Sequence, residues 1–305
     1  MRNIAPLIVF NVFLNIACGE NCYYRQVKEN KAFLDCEYLG TDEPVEGISL
    51  THLEYNTNIS IVEGSLLSSF TNLKTLYLTA ANIRRIKNDT FHNHTLEIID
   101  LYHNQLDVFE DGTFRNQTDL KYLDLSHNNF QILKKDVFDG LTALEWLSLN
   151  FNRLMTIESA VFYHTPKLKL LHLKFNAMKE LDKDTFQTLA ELEWLDLSEN
   201  LLVAIHSDLF LHQTHLNVLL LQNNHLSSLP NNTFDKTTEL TLLDISYNYI
   251  SELPENVFIN TNKLESLSVN NNNITNFNMS ILLSYAPTLT NFDFYNVVLD
   301  ENTQI

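Results

Sequence analysis

Glycine and proline occur only six times each in 305 residues, cysteine three times and tryptophan twice. So little glycine leaves no glycine-rich phosphate loop, and neither HExxH nor GxSxG occurs. The commonest signatures of nucleotide, zinc-protease and α/β-hydrolase chemistry are therefore missing. Positive charge is also scarce: 20 Lys and Arg against 38 Asp and Glu give a formal charge of −18. A surface of that sign repels nucleic acid and anionic lipid, which argues against both as partners. Beyond the first 16 residues no apolar run is long enough to span a bilayer. An enzyme reading finds no support in these absences, and no cofactor or metal is called for.

What remains at the N-terminus is Arg2, an apolar run from Ile4 to Ile16 and the small-residue triplet Ala17-Cys18-Gly19. Residues 1–19 read as a secretory signal peptide cleaved before Glu20, and loss of Arg2 takes the charge to −19. The alternative is an uncleaved anchor. Cleavage removes Cys18 and leaves Cys22 and Cys36, one bridge's worth, inside an N-terminal cap expected over residues 20–47. Seven N-x-S/T acceptors, at Asn58, Asn88, Asn93, Asn116, Asn231, Asn273 and Asn278, suit an extracellular glycoprotein.

The abundant residues are leucine and asparagine, and they are periodic. LxxLxLxxNxL recurs ten times from Leu73 to Leu299, and seven of its nine spacings are 24 residues. With the first leucine as slot 1, that slot holds Leu73, Leu96, Leu120, Leu144, Leu168, Leu192, Leu216, Leu240, Leu264 and Leu289. Slots 4 and 6 are apolar throughout, and a period of two places them on one face of a short strand. Slot 19 is phenylalanine in eight successive units, Phe91 through Phe258, which predicts a stacked spine behind the sheet. Slot 9 is asparagine from Asn104 through Asn272, placed to bond backbone groups as the chain leaves the strand, with Ala81 and Val297 breaking that series at its ends. No unit can bury its own apolar face, so stacking neighbours is what makes burial possible. The fold class expected is an α/β-type repeat solenoid, a leucine-rich repeat horseshoe with a parallel concave sheet and an irregular or short-helical convex side, over residues 48–305 in about 11 repeats. An irregular first unit begins near Leu50. The last one ends without a cysteine cap.

The 24-residue period, the slot-19 phenylalanine and the phrases LDLSHN (123–128), LDLSEN (195–200) and LDISYN (243–248) resemble the typical extracellular leucine-rich repeats. Toll-like receptor ectodomains, adhesion proteins and secreted invertebrate immune proteins use such repeats. The resemblance implies binding of a protein or pattern molecule, not catalysis. Receptors of this kind continue into a cysteine-rich C-terminal cap and a membrane helix. This sequence has neither, and so resembles a soluble member or a fragment.

Slots 2, 3, 5, 7 and 8 are expected to face outward on the concave side. Slot 2 alternates in sign, Lys74, Glu97, Lys121, Glu145, Lys169 and Glu193, which predicts lateral ion pairs. Slot 3 carries Tyr122, Trp146, Leu170, Trp194, Val218 and Leu242, and slot 8 adds Phe151, Phe175 and Tyr247. Together these nine form the candidate ligand-binding surface, an exposed apolar patch of the kind that marks partner sites; sheltering by long neighbours is the competing explanation. His103 and His127, with Asp100 and Asp124, raise the thought of a metal or an acid sensor, though solvated surface histidines are far commoner. None of the acceptor asparagines falls in these outward slots.

These readings favour a secreted recognition protein, immune or adhesive, that binds an extracellular protein or microbial-surface ligand. The alternatives are a soluble inhibitor or carrier of an extracellular protein and a receptor ectodomain fragment. At the far end Phe292, Phe294, Tyr295, Val297 and Val298 leave an open, partly apolar sheet edge. Dimerisation through the C-terminal repeats would cover it, and so would a continuing chain or tail.

Overall fold

The computed structural model describes residues 59–297, apart from 69 and 276, together with the backbone of the strands at 22–26, 31–36, 48–49 and 52–55. The expected signal peptide and Asn58 lie outside these residues. Each repeat contributes one strand of three residues, slots 3 to 5, from Thr75–Tyr77 to Asn291–Asp293. These strands line up in chain order in a sheet of 13 strands, and every coil-to-coil pairing is parallel and in register. Tyr122 stands opposite Trp146, Trp146 opposite Leu170 and Leu170 opposite Trp194. At the N-terminal end, Cys22–Gln26 runs antiparallel to Lys31–Cys36, and that register sets Cys22 opposite Cys36. The irregular first unit supplies His52–Tyr55, which joins Thr75–Tyr77.

Why the strands are so short follows from the pattern. Leucine in slots 4 and 6 drives that face inward, as with Leu123 and Leu125 at 0% exposure, and the chain then leaves the sheet to bury slots 11 and 14. The return side has little regular structure: a four-residue helix at Gly64–Leu67, a seven-residue helix at Met279–Tyr285 and two-residue parallel pairs such as Ile132–Leu133 with Thr156–Ile157. The horseshoe expected from the repeat is what the structure shows.

The phenylalanine spine forms as expected. Phe138, Phe162 and Phe186 stack with ring centroids 6.1 Å apart, and Phe210, Phe234 and Phe258 continue at 6.5 and 6.2 Å. Phe109 packs edge-on to Phe114 at 4.8 Å and stacks on Phe130 at 5.2 Å, which ties the spine to the slot-11 phenylalanine of the next coil. In the ninth unit Leu282, on the helix Met279–Tyr285, takes the spine position.

Two expectations about the outward slots are corrected. Among the described residues only Lys74 and Glu97 close along slot 2, at 3.5 Å, and Lys121, Glu145, Lys169 and Glu193 form no ion pair within 4.0 Å. A solvated lysine and glutamate gain too little from pairing to hold two long side chains in one geometry. Slot 7 does not face out where it is serine: Ser126, Ser198 and Ser246 are buried, because each donates its backbone N–H and hydroxyl to the slot-5 aspartate two residues earlier.

Candidate binding face

Leaving the strand requires a sharp turn, and the same device makes it in every coil. Slot 8 is left-handed in all ten regular units, with φ between 51° and 63°: Ala80, His103, His127, Phe151, Phe175, Glu199, Asn223, Tyr247, Asn271 and Asn296. Such a φ is uncommon for any residue with a β-carbon and a genuine outlier for a bulky ring. In all but the last coil it is held because the slot-8 N–H donates to the slot-7 carbonyl of the next coil, as from Phe151 to Lys174 at 2.9 Å. Asparagine completes the turn at slot 9. The Asn152 Oδ1 accepts the Phe130 N–H of the previous coil, while its Nδ2 donates to the carbonyls of Leu125 and Leu149. The same bonds recur from Asn104 to Asn272. Ala81, which ends the series, has its own N–H satisfied by Asn104.

Two aromatic rows ride on this frame. The inner row lies on the strands: Tyr122 stacks on Trp146 at 4.0 Å and 6°, and His172 sits between Trp146 at 5.4 Å and Trp194 at 6.3 Å. All four are half-buried. Burial between the indoles pushes the His172 pKa down, against the pull of Asp196 and Asp124, and burial raises that of the Tyr122 hydroxyl, aided by Asp124 and Asp100. The outer row follows slot 8. His127 stacks on Phe151 at 4.2 Å and Phe151 on Phe175 at 4.5 Å, with Lys174 Nζ 5.0 Å from the Phe175 centroid. Tyr102 packs edge-on to His127 at 5.0 Å. Burial, then His103, lowers the His127 pKa, against Asp124.

The register, the asparagine series and the leucine core define a repeat, and comparison names it. The leucine rich repeat family matches residues 71–116, 94–154, 144–202 and 214–274, more than half of the chain. The chain is a leucine-rich repeat protein. It is similar to the receptor in the TLR13–ssRNA13 complex, with 27% identity and a TM-score of 0.74 over 80% of this chain and 36% of that one. The fold is shared with the LRIM1/APL1C complex (19% identity, TM-score 0.74, 90% of this chain and 52% of that). It is also shared with the Toll–Spatzle complex of Drosophila (22%, 0.61, 82% and 41%). This chain thus spans well under two thirds of the length of each. No curated protein sequence matches it.

On this leucine-rich repeat protein the nine candidate residues divide by depth. Tyr122, Trp146, Leu170, Trp194, Val218 and Leu242 are half-buried, sheltered by neighbouring coils, whereas Phe151, Phe175 and Tyr247 are 40–54% exposed. Tyr247 stands three coils beyond Phe175, and Glu199 and Asn223, which bond each other at 2.9 Å, separate it from the aromatic row. Asp100 and Asp124 spend Oδ1 oxygens on the N–H groups of Tyr102 and Ser126, so both act as turn caps, and no three His, Cys, Asp or Glu side chains converge among the described residues.

Sequence reading missed three features. His172 escaped because slot 5 was read for its aspartates. The left-handed slot 8 carries only one weak signal, its asparagines, among phenylalanine, histidine and tyrosine. The third is a second polar column at slot 22, where Gln117 donates to the carbonyls of Phe91 and His94, Gln213 to those of Phe186 and Leu189, and Thr165, Thr237 and Thr261 each cap a spine carbonyl. The six described acceptor asparagines are exposed, and Asn278 also caps the helix Met279–Tyr285 by accepting from the Ile281 N–H. No helix among the described residues is long and apolar enough to cross a membrane.

Proposed function

We propose that this protein is a secreted, non-enzymatic recognition protein whose concave face binds an extracellular protein or microbial-surface ligand, in innate immunity or cell-surface recognition. The observation that carries this reading is the pair of stacked aromatic rows across adjacent coils, Tyr122–Trp146–His172–Trp194 and His127–Phe151–Phe175. Rings fixed by stacking lose little entropy on binding, and tryptophan and tyrosine dominate interface hot spots. Kinship with receptors and immune proteins of the same repeat supports a binding role. The register of Cys22 with Cys36 supports a disulfide closing the cap, and the exposed acceptor asparagines support glycosylation. One structural neighbour was solved with single-stranded RNA, so the case against nucleic acid rests on this chain's own charge.

The test is affinity recovery from extracellular fluid with the wild-type chain and with Trp146→Ala/Trp194→Ala, each verified as folded by circular dichroism. A partner recovered by the wild type and lost by the variant is expected. Equal recovery by both would dismiss the inner row as the contact. Recovery of an active hydrolase would favour the inhibitor reading.

A further inference from the structure

The tryptophans lie half-buried in the inner row, and apart from Tyr163 on the return side (64% exposed) the freely exposed large apolar side chains of the central coils include a run along the rim where the chain leaves the sheet. Val108 (45% exposed), Ile132 (50%), Phe151 (42%), Met155 (50%) and Phe175 (40%) occupy slots 8, 12 and 13 of four consecutive coils. Buried in-facing leucines explain none of them. Single exposed aliphatics are ordinary, but five within one strip of four coils form a patch.

The same slots, counted from one coil earlier, reverse the charge of the molecule. Slots 7 to 13 of the coils beginning at Leu73 through Leu168 hold Arg84, Arg85, Arg153, Lys174 and Lys179 against only Asp107 and Glu180. That is a local charge of +3 on a chain of −18. None of the five cations enters an ion pair among the described residues, and all seven pairs lie elsewhere. Arg84 bonds only the neutral Gln105, and Lys174 leans over Phe175. Lys121 and Lys169 are unpaired too, so the distinguishing feature of the strip is its local excess of positive charge, which an acidic protein presents there to an anionic partner. No N-x-S/T acceptor falls within these slots of these coils, so glycans at the acceptor sites would leave the strip open.

The rings also say what kind of anion fits. His127, Phe151 and Phe175 stack on one another, so their faces are occupied and their edges are what solvent meets. Nucleic-acid bases require free ring faces, and they have no use for exposed Val108, Ile132 and Met155. Apolar side chains of a polypeptide pack well against ring edges and aliphatics. The left-handed backbone at slot 8, locked by the next coil, holds these rings in place before any partner arrives.

We propose that this rim binds an acidic polypeptide segment bearing apolar side chains, its carboxylates meeting Arg84, Arg85 and Arg153 and its apolar groups packing on Phe151, Met155 and Ile132. The inference deepens the recognition reading and rests on it.

The probe is a random Glu–Tyr copolymer, compared with poly-glutamate and single-stranded oligouridylate, each measured by biolayer interferometry on the full chain at 0.15 and 0.5 M salt. The copolymer should bind at least tenfold more tightly than poly-glutamate and should weaken with salt. Arg84→Glu/Arg85→Glu/Arg153→Glu and, separately, Phe151→Ser/Met155→Ser should each cost at least tenfold, while Tyr163→Ser, at an exposed ring on the return side of the coil that carries Phe151, leaves binding unchanged. These positions are exposed, so unaltered circular dichroism is expected for both rim variants. Copolymer binding that ignores the rim substitutions, or is absent, overturns the proposal. Tighter binding of oligouridylate with the same sensitivity overturns it in favour of nucleic acid. Loss confined to Trp146→Ala/Trp194→Ala would move the contact to the inner row, ending the rim proposal and leaving the recognition reading intact.

Discussion

Asn152 shows how one side chain can hold two coils. Its amide has one acceptor oxygen and two donor hydrogens, and the turn leaves the Phe130 N–H and the Leu125 and Leu149 carbonyls facing it in the interior. Removing the amide strands those groups without solvent, at about 1–3 kcal/mol apiece before relaxation. Asn152→Ala is therefore expected to destabilise by about 2–5 kcal/mol in urea titration, the sum falling short because water enters. Asn152→Asp should not rescue, since a carboxylate faces two carbonyls it cannot donate to. Rescue by aspartate would show that only the acceptor matters. Leu173 and Asn176 repeat the arrangement one coil on, which makes the asparagine a structural residue despite its place beside the candidate binding face.

At the scale of elements, the sheet and the phenylalanine spine act as two parallel tracks that brace each coil against the next. Phe186 lies in mid-spine with no exposure and stacks on Phe162. Phe186→Ala should cost about 3–5 kcal/mol, read as a lowered denaturation midpoint. An unchanged midpoint would mean that the coils repack around the loss and that the spine is not what holds them. Gln213 holds the backbone of this residue: its Nε2 donates to the Phe186 carbonyl at 2.7 Å, while its Oε1 is buried without a partner among the described residues. The spine thus carries polar stitching of its own. The sheet track has the complementary logic: leucine inside, and outside a row of short polar caps in which Asp124, Asp196 and Asp244 each accept from the serine two residues on.

For the whole molecule, three histidines titrate in one direction. Burial holds His94, His127 and His172 below the ordinary histidine value of 6.5. The folded state prefers each ring neutral, so the stability they permit is complete above pH 6.5 and declines as pH falls through the lowered folded values. Melting temperature should therefore drop between pH 7.5 and pH 5, and His172→Phe should shrink that drop because His172 is enclosed by Trp146 and Trp194. An equal drop in the variant would mean that His172 contributes nothing to it. Because His127 touches Phe151, acid should also alter the outer aromatic row.

The sequence by itself determined the coil. A 24-residue period with leucine in slots 1, 4 and 6 admits only one way to bury its apolar side chains, so strand, register, spine and stacking order were all legible from residue identity. It also located the candidate face, because period two divides inward from outward. What it could not supply was depth. Trp146 and Phe151 look alike in sequence, yet one is half-buried by lateral stacking and the other is held out by a left-handed backbone. That difference arises from contacts between residues 24 apart and from hydrogen bonds to the following coil, which no local pattern encodes. Nor could composition reveal that an acidic chain gathers unpaired cations along one rim. The winding of successive coils is what brings the slots of Arg84, Arg153 and Lys179 into line with those of the exposed Phe151 and Met155.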